Sequence, residues 1–353
     1  MKINGLETPA LIVDADVFDS NIQKMNELLS GKSIKLRPHY KSHKCAHIAH
    51  RQIENGAIGL TCAKLSEAID LVDSGIEDVL IANQIVEESK IMRLADLAKN
   101  ARITVCVDNE ENIKAINKAA ALAGSTVHCL IEYEIGMERC GVSDKETFLE
   151  LAKLINASEN LSFDGIQAYA GHLSHTANSE ERLERTKKNA ERIRELIAFL
   201  SSHGVEVHTV SGGSTGTSLI KAEEGLYTEL QAGSYLFMDS TYKELSLPFK
   251  NSLFILTTVV SVSDGLAVVD AGVKSCGIDQ GMPECVGFSV SHIVASEEHL
   301  QLHSPSKKLK VGEKILLIPA HCCSTVNLYD RIYFVKDGKV NDRVQVTARG
   351  CSK

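Results

Sequence analysis

The sequence predicts an α/β protein in which a (β/α)8 barrel of the TIM type is followed by a C-terminal mostly-β domain. Between about residues 34 and 240, short β-branched apolar runs alternate with longer segments of helical periodicity, which is typical of βα units and a parallel sheet. About eight such runs are present, the number that a closed barrel needs. After residue 245, apolar alternation broken by Asp-Gly turns replaces the helical pattern.

The predicted strands are separated by segments that are long enough to carry helices. The strands cover residues 34–40, 59–63, 78–82, 102–107, 128–133, 163–169, 206–210 and 228–236. The clearest helices cover residues 65–74, 112–123 and 179–202. We expect the barrel domain over residues 1–245 and the β domain over residues 246–353, with the N-terminal strand able to join the β domain.

Composition excludes several classes of partner. The 38 Lys and Arg against 46 Asp and Glu give a net charge of -8, and no block of like charge could bind nucleic acid or an anionic membrane. No apolar run approaches the roughly 20 residues that a bilayer requires. The ten cysteines lack the dense spacing of a secreted scaffold and are expected to be reduced thiols. We therefore expect a cytoplasmic protein.

A candidate catalytic lysine follows the first predicted strand, in the segment RPHYKSHK at residues 37–44. Strand alternation places Arg37, His39 and Lys41 on one face, which in a barrel can be the interior. Because a buried ammonium is costly as a structural ion, Lys41 is better explained as a lysine that forms an imine, with His39 beside it. A solvated basic loop is the alternative.

A Gly-rich segment follows the seventh predicted strand, where barrels usually bind phosphate. Its backbone N–H groups and hydroxyls can hold an anion without a lysine, although an ordinary Gly-rich turn is the alternative. A lysine for an aldehyde and a loop for a phosphate together indicate pyridoxal 5'-phosphate (PLP) as the cofactor. The segment consists of Ser211, Gly212, Gly213, Ser214, Thr215, Gly216 and Thr217.

A candidate metal pair lies near the C-terminus. His321 and Cys323 are two positions apart in an expected strand, so both side chains should project from the same side. Imidazole and thiolate suit Zn²⁺, and two ligands leave positions open for water or substrate. A histidine beside core cysteines is the alternative, because so short a pair also occurs by chance.

Four other residues lie where the active sites of barrels collect. Arg139 follows the fifth predicted strand and Tyr169 ends the sixth, and either could contact the cofactor ring. A loop salt bridge and a packing aromatic are the alternatives. His172 and His175 could act as bases near neutral pH or could be surface residues of a polar loop.

An ordered set of motifs resembles the fold type III PLP enzymes of the D-threonine aldolase and D-serine dehydratase group, which have an alanine racemase-like barrel. The resemblance covers nearly the whole chain. The motifs are, in order, TPALIVD, RPHYKSHK, GLTCAKLSEA, GMERCGV, SGGSTGT, ELQAGSYLFMD, DAGVKS and AHCCSTVNLYD.

The resemblance implies a role for each residue that matches these motifs. Lys41 would be the Schiff-base lysine, and residues 211–217 would bind the phosphate with Tyr235 close by. His321 and Cys323 would be ligands of Zn²⁺ or Mn²⁺. The remaining cofactor contacts would be Arg139 at the phenolic oxygen, Tyr169 at the pyridine ring, and Gln84 and Asp279 within the pocket.

The resemblance further implies a homodimeric lyase that acts on D-3-hydroxy amino acids such as D-serine or D-threonine. Aldolases of the group often have a His-x-Asp pair, whereas the His-x-Cys pair at His321 is similar to the dehydratases. We therefore expect a dehydratase ahead of an aldolase. The segment Tyr169-Ala-Gly-His also departs from the Tyr-His-Gly arrangement of some aldolases, which leaves open the base that serves the β-hydroxyl.

Two other classes of protein share this barrel. A metal-independent amino-acid racemase would give the His-x-Cys pair no role. A non-enzymatic PLP carrier would lack the C-terminal β domain, for which this chain has about 110 residues.

Overall fold

The computed structural model describes residues 1–353, and the chain divides into two compact units. The barrel unit consists of Asn26–Lys41, Ile48–Gly233 and Cys351–Lys353. The β unit consists of Met1–Met25, Ser42–His47 and Ser234–Gly350. All ten cysteines are free thiols. None of the α-helices combines the length and the apolar character that crossing a bilayer requires.

The secondary structure is numbered in chain order. The strands are β1 Ala10–Asp14, β2 Lys35–Leu36, β3 Leu60–Cys62, β4 Asp78–Ile81, β5 Arg102–Val107, β6 Val127–Glu132, β7 Leu161–Ala168, β8 Thr209–Gly212, β9 Glu229–Leu230, β10 Leu253–Ser263, β11 Leu266–Val269, β12 Glu284–Cys285, β13 His292–Ala295, β14 Leu300–His303, β15 Lys314–Ile318, β16 Arg331–Lys336 and β17 Lys339–Gln345. The helices are α1 Ala15–Leu29, α2 Ala46–Glu54, α3 Leu65–Asp73, α4 Glu88–Leu97, α5 Glu110–Ala123, α6 Lys145–Asn156, α7 Ser179–Ser202, α8 Ser218–Glu224 and α9 Cys322–Val326.

Eight parallel strands form the barrel unit. Their order is β2-β9-β8-β7-β6-β5-β4-β3, and neighbouring strands are hydrogen-bonded. A parallel bridge between His39 and Thr61 joins the two ends of this order, and Thr61 N donates to Pro38 O at 2.9 Å. The predicted eight-stranded barrel is confirmed.

The helices begin and end close to the predicted positions because side chains cap them. Helix α7 covers Ser179–Ser202 as predicted, and the side chain of Asn178 accepts hydrogen bonds from the first turn. Helix α5 begins two residues earlier than predicted, because Asn109 accepts from Asn112 N and caps the helix there. Each helix buries an apolar stripe, which in α7 includes Ile193.

The first and last predicted barrel strands are much shorter than predicted. The strand expected over residues 34–40 is only Lys35–Leu36, and the one over 228–236 is only Glu229–Leu230. Pro38 has no N–H to donate, so the regular hydrogen bonding of the first strand ends before it. Lys41 consequently lies in a single 3-10 turn, Tyr40–Ser42, and the predicted alternation of Arg37, His39 and Lys41 on one strand face was wrong.

The β unit is built around a nine-stranded sheet. Seven strands follow the order β13-β14-β11-β10-β1-β16-β17, and β15 pairs with both β10 and β12. Strand β1 is antiparallel to β10 and parallel to β16, so the N-terminal strand pairs within this sheet. An apolar cluster of Leu6, Ala10, Ile12 and Leu256 packs beside it. The predicted mostly-β domain is confirmed.

A buried arginine ties the barrel together where β2 joins its neighbours. Arg37 donates to Asp78 at 2.7 Å and to Glu229 at 2.8 Å, the first residues of β4 and β9. Only 7% of the Arg37 side chain is exposed. Burial disfavours its charge, but the two carboxylates outweigh that effect and raise the pKa of Arg37. These groups lie at the N-terminal ends of the strands, the end of a barrel that usually serves stability.

Removal of this guanidinium should destabilise the barrel strongly. We expect Arg37→Met to lower the free energy of unfolding by about 3–5 kcal/mol, because it leaves the Glu229 carboxylate buried without a countercharge. Urea unfolding followed by circular dichroism measures the loss. The control is Arg185→Met, which removes an exposed arginine paired with Glu181 on α7 and should change the free energy by less than about 0.5 kcal/mol. Equal effects of the two variants would contradict the assigned role of Arg37.

Candidate active site

A cavity of about 330 Å³ lies in the barrel unit at the C-terminal ends of the strands. Barrels carry their active sites at this end. Most of the lining residues have polar side chains. They come from the segments that follow six strands, β2, β3, β4, β6, β7 and β9, and from Gln167 within β7. The lining residues are His39, Lys41, Ala63, Ala82, Asn83, Arg139, Cys140, Gln167, Tyr169 and Gln231.

Two cationic side chains approach one aromatic ring in this cavity. Lys41 Nζ and the guanidinium carbon of Arg139 each lie 5.8 Å from the centroid of the Tyr169 ring. The backbone N of Lys41 donates to Nδ1 of His39 at 3.4 Å. The structure therefore brings together four of the residues predicted from the sequence: His39, Lys41, Arg139 and Tyr169.

A network of buried amides at the cavity floor was not predicted. Gln231 Nε2 donates to Gln167 Oε1 at 2.7 Å and to Ser211 Oγ at 2.9 Å. All three residues are buried. The network links the end of β7 and the segment after β9 to the first residue of the Gly-rich loop. The only signal in the sequence was that Gln167 is a polar residue near the C-terminal end of a predicted barrel strand.

A second missed residue is Glu132, the last residue of β6. Its carboxylate accepts from Gln84 Nε2 at 2.7 Å and lies 3.7 Å from Arg139 Nη2. Burial raises the pKa of Glu132, and the contacts with Gln84 and Arg139 partly oppose that rise. Gln84 therefore contacts Glu132, and it does not line the cavity itself. A carboxylate at the end of a barrel strand could have been selected from the sequence.

The Gly-rich loop has the features of an anion site. A Cβ on Gly212 would collide with the carbonyl of Ala168, and one on Gly216 with that of Ser174, so the backbone approaches its neighbours as only glycine allows. The first N–H groups of the 3-10 turn at Thr215–Thr217 have no partner within that turn. The Thr215 hydroxyl is buried and makes no hydrogen bond. These unpaired donors fit a phosphate group.

In the β unit, His321 and Cys323 lie side by side although the predicted strand was wrong. His321 precedes helix α9, and Cys323 is in its first turn, because Pro319 follows the end of β15 and the chain then turns into the helix. His321 Nδ1 pairs with Asp279 Oδ2 at 2.6 Å. Burial opposes protonation, but Cys323 and Asp279 raise the pKa of His321 to about 9.

This arrangement fits a metal with open coordination positions. Asp279 holds one ring nitrogen of His321, which leaves Nε2 for a metal, as carboxylates commonly do for metal-binding histidines. No group of three or more His, Cys, Asp or Glu side chains is placed to hold an ion. His321 and Cys323 would supply two ligands. Asp279 was expected within the cofactor pocket, and the structure places it against His321 and Ser324.

Three other predicted residues do not line the cavity. Tyr235 belongs to the β unit, where its ring lies 5.6 Å from that of Phe249. His172 lies in the barrel unit, and its ring packs close to Gly136. Burial, with a smaller contribution from Arg185, lowers the pKa of His172, so its imidazole is neutral near pH 7. His175 follows the same 3-10 turn.

Comparisons with known proteins agree with this architecture. The sequence-family model for the alanine racemase N-terminal domain matches residues 13–241, and the family model for a putative serine dehydratase domain matches residues 252–335. A D-threonine aldolase from Arthrobacter sp is 37% identical, with 99% of this chain and 94% of that protein covered. A 3-hydroxy-D-aspartate aldolase from Paracoccus denitrificans (strain Pd 1222) is 38% identical with the same coverage.

A solved structure has the same fold over its whole length. The D-threonine aldolase from Filomicrobium marinum is 39% identical and superimposes with a TM-score of 0.96, with 99% of this chain and 98% of that chain covered. The chain therefore belongs to the fold type III PLP enzymes of the D-threonine aldolase and D-serine dehydratase group, with an alanine racemase N-terminal domain.

Proposed function

We propose that the protein is a lyase that cleaves D-3-hydroxy amino acids between Cα and Cβ, giving glycine and an aldehyde. The observation that carries PLP-dependent lyase chemistry, the part shared by cleavage and elimination, is the position of Lys41, which shares a cavity with Tyr169 and Arg139 at the C-terminal end of the barrel. The aldolase names of relatives that are 37% and 38% identical support cleavage ahead of elimination.

The residues of the two units have different roles in this proposal. When bound, PLP supplies an electron sink and a divalent metal supplies a Lewis acid. Lys41 would hold the PLP aldehyde, and the loop at residues 211–217 would hold its phosphate. Tyr169 and Arg139 would orient the ring, and His321 and Cys323 would bind Zn²⁺ or Mn²⁺.

Proton transfer determines the outcome. In cleavage, the β-hydroxyl loses a proton to a base, the Cα–Cβ bond breaks, and Lys41 Nζ would return a proton to Cα. His172 and His175 stay candidates for the base at the β-hydroxyl. Neither histidine lines the cavity. Substrate binding would have to bring one of them closer to the β-hydroxyl.

Elimination is the second candidate, because the metal pair is His-x-Cys. In that reaction Lys41 Nζ would remove the proton from Cα, and the β-oxygen would take up a proton and leave as water. The enamine that remains tautomerises to an imine, which water hydrolyses to an oxo acid and ammonia. The same side chains serve both reactions. A homodimer, a cytoplasmic location and the absence of a nucleic-acid or membrane partner stay predictions from the sequence.

Lys41 should carry the cofactor covalently. After loading with PLP and reduction with borohydride, mass spectrometry of the digested protein should find the label on Lys41 alone. Lys41→Ala should lose this label and about 10²–10⁴-fold of turnover, because the attachment and the proton-transferring amine are both removed. Lys64→Ala is the control, because Lys64 is an exposed lysine outside the cavity lining and the variant should keep both label and turnover. A label on another lysine would contradict the assignment.

The products of D-threonine and D-serine identify the reaction. With D-threonine we expect glycine and an aldehyde in equal amounts, and loss of both on addition of EDTA, because the metal stabilises charge at the β-oxygen. Oxo acid and ammonia from either substrate would establish the dehydratase instead. Formation of the L-amino acid that persists in EDTA would overturn the lyase proposal and favour a racemase.

Asp279 should strengthen metal binding through His321. We expect Asp279→Asn to lower the affinity for Zn²⁺ by about 10–100-fold, because the amide no longer fixes the ring and no longer increases its basicity. Zn²⁺ titration in competition with a chromogenic chelator measures this affinity. Asp342→Asn is the matched control, since Asp342 pairs with an exposed histidine, His47, at 3.7 Å. Equal affinities of the two variants would contradict the role of Asp279.

A further inference from the structure

We infer that Glu132 is a positioning residue whose buried carboxylate fixes the Arg139 guanidinium at the wall of the cavity. The inference deepens the proposed function and rests on it, because the position of Arg139 matters only if the cavity holds PLP. Glu132 does not line the cavity, so it would act through Arg139 and not on the cofactor or the substrate.

The side-chain contacts of Glu132 supply the first argument. Its two carboxylate oxygens have different partners, with Oε2 accepting from Gln84 at 2.7 Å and Oε1 facing Arg139 at 3.7 Å. Only 6% of the Glu132 side chain is exposed, against 51% for Arg139. Glu132 is therefore the buried partner, bonded to Gln84, and Arg139 is the half-exposed partner that faces its other oxygen.

The backbone of the loop supplies the second argument. The loop that carries Arg139 folds back onto the end of β6, where Val142 N donates to Glu132 O at 2.9 Å. Gly141 has φ +101°, and a Cβ there would come within 2.8 Å of Glu132 O. Glu132 thus anchors the loop through its carbonyl and the guanidinium through its carboxylate.

The two contacts together explain why Arg139 reaches the Tyr169 ring. A half-exposed arginine loses rotamer entropy when it is ordered. The backbone of Glu132 anchors the loop, and its carboxylate lies on one side of the Arg139 guanidinium. These two contacts restrict the guanidinium, which lies 5.8 Å from the centroid of the Tyr169 ring. A carboxylate that holds the arginine in this position would strengthen cofactor binding, because less side-chain freedom is then lost on binding.

A double-mutant cycle tests whether Glu132 acts through Arg139. The dissociation constant of PLP is measured by titration of its absorption band for the wild-type protein, Glu132→Gln, Arg139→Met and the double variant. We expect Glu132→Gln to weaken PLP binding about 10-fold in the wild-type background, and to have no further effect beside Arg139→Met. The band of the bound cofactor should also shift in the same direction in both single variants.

Asp108→Asn is the matched control. Asp108 accepts from Gly141 N at 3.0 Å, so this carboxylate contacts the same loop, but it makes no ion pair with Arg139. An amide oxygen can still accept that bond, and PLP affinity should stay within about twofold of the wild type. If Glu132→Gln does not fold, Gln84→Met replaces it, with a smaller loss expected that again disappears beside Arg139→Met.

Two results would overturn the inference. One is wild-type affinity in Glu132→Gln, and the other is an equal loss with and without Arg139, which would mean that Glu132 supports the fold alone. Failure of the proposed function gives a different result: the wild-type protein would either form no borohydride-reducible bond with PLP or give no lyase products from D-threonine and D-serine, whatever the effect of Glu132→Gln on PLP affinity.

Discussion

The fold depends on how the barrel closes beside β2, a strand of only two residues. Strand β2 has two residues, so few backbone hydrogen bonds join it to its neighbours. Arg37 compensates by reaching from this strand to Asp78 on β4 and Glu229 on β9, on either side of the closure. Because guanidinium and carboxylates are withdrawn from water together, each is stable only while the others are present. The closure is therefore an electrostatic interaction as much as a set of hydrogen bonds.

The early end of β2 also separates the charge of Arg37, which stabilises the barrel, from the side chains that line the cavity. Arg37 lies before Pro38 and is neutralised at the N-terminal end of the barrel, whereas His39 and Lys41 lie after it and line the cavity. A strand that continued from residue 34 through residue 40 and into Lys41 would have placed Arg37, His39 and Lys41 on one face. The 3-10 turn at Tyr40–Ser42 instead releases Lys41 from the sheet, which lets its amine face the Tyr169 ring.

Local signals made much of the fold predictable, and long-range contacts account for what was missed. Helix α7 could be predicted because its cap and apolar stripe lie within the segment itself. Gln231 bonds to Gln167 and Ser211, which lie 64 and 20 positions away in the chain. Glu132 could have been selected because it ends a barrel strand, but no local pattern predicts its contact with Gln84, 48 positions away. His321 and Cys323 meet in a helical turn and not in a strand, so the motif was informative while the geometry inferred from it was wrong.

The cavity of the barrel unit does not by itself select between cleavage and elimination. Both reactions use a lysine that moves a proton at Cα and a sink for the electrons left there, and Lys41 with its surroundings would serve either. They differ at the β-oxygen, which must lose a proton for cleavage and must leave with one for elimination. A metal favours both, since it lowers the pKa of a hydroxyl and stabilises a departing hydroxide. The deciding feature is therefore the side chain that exchanges a proton with the β-oxygen.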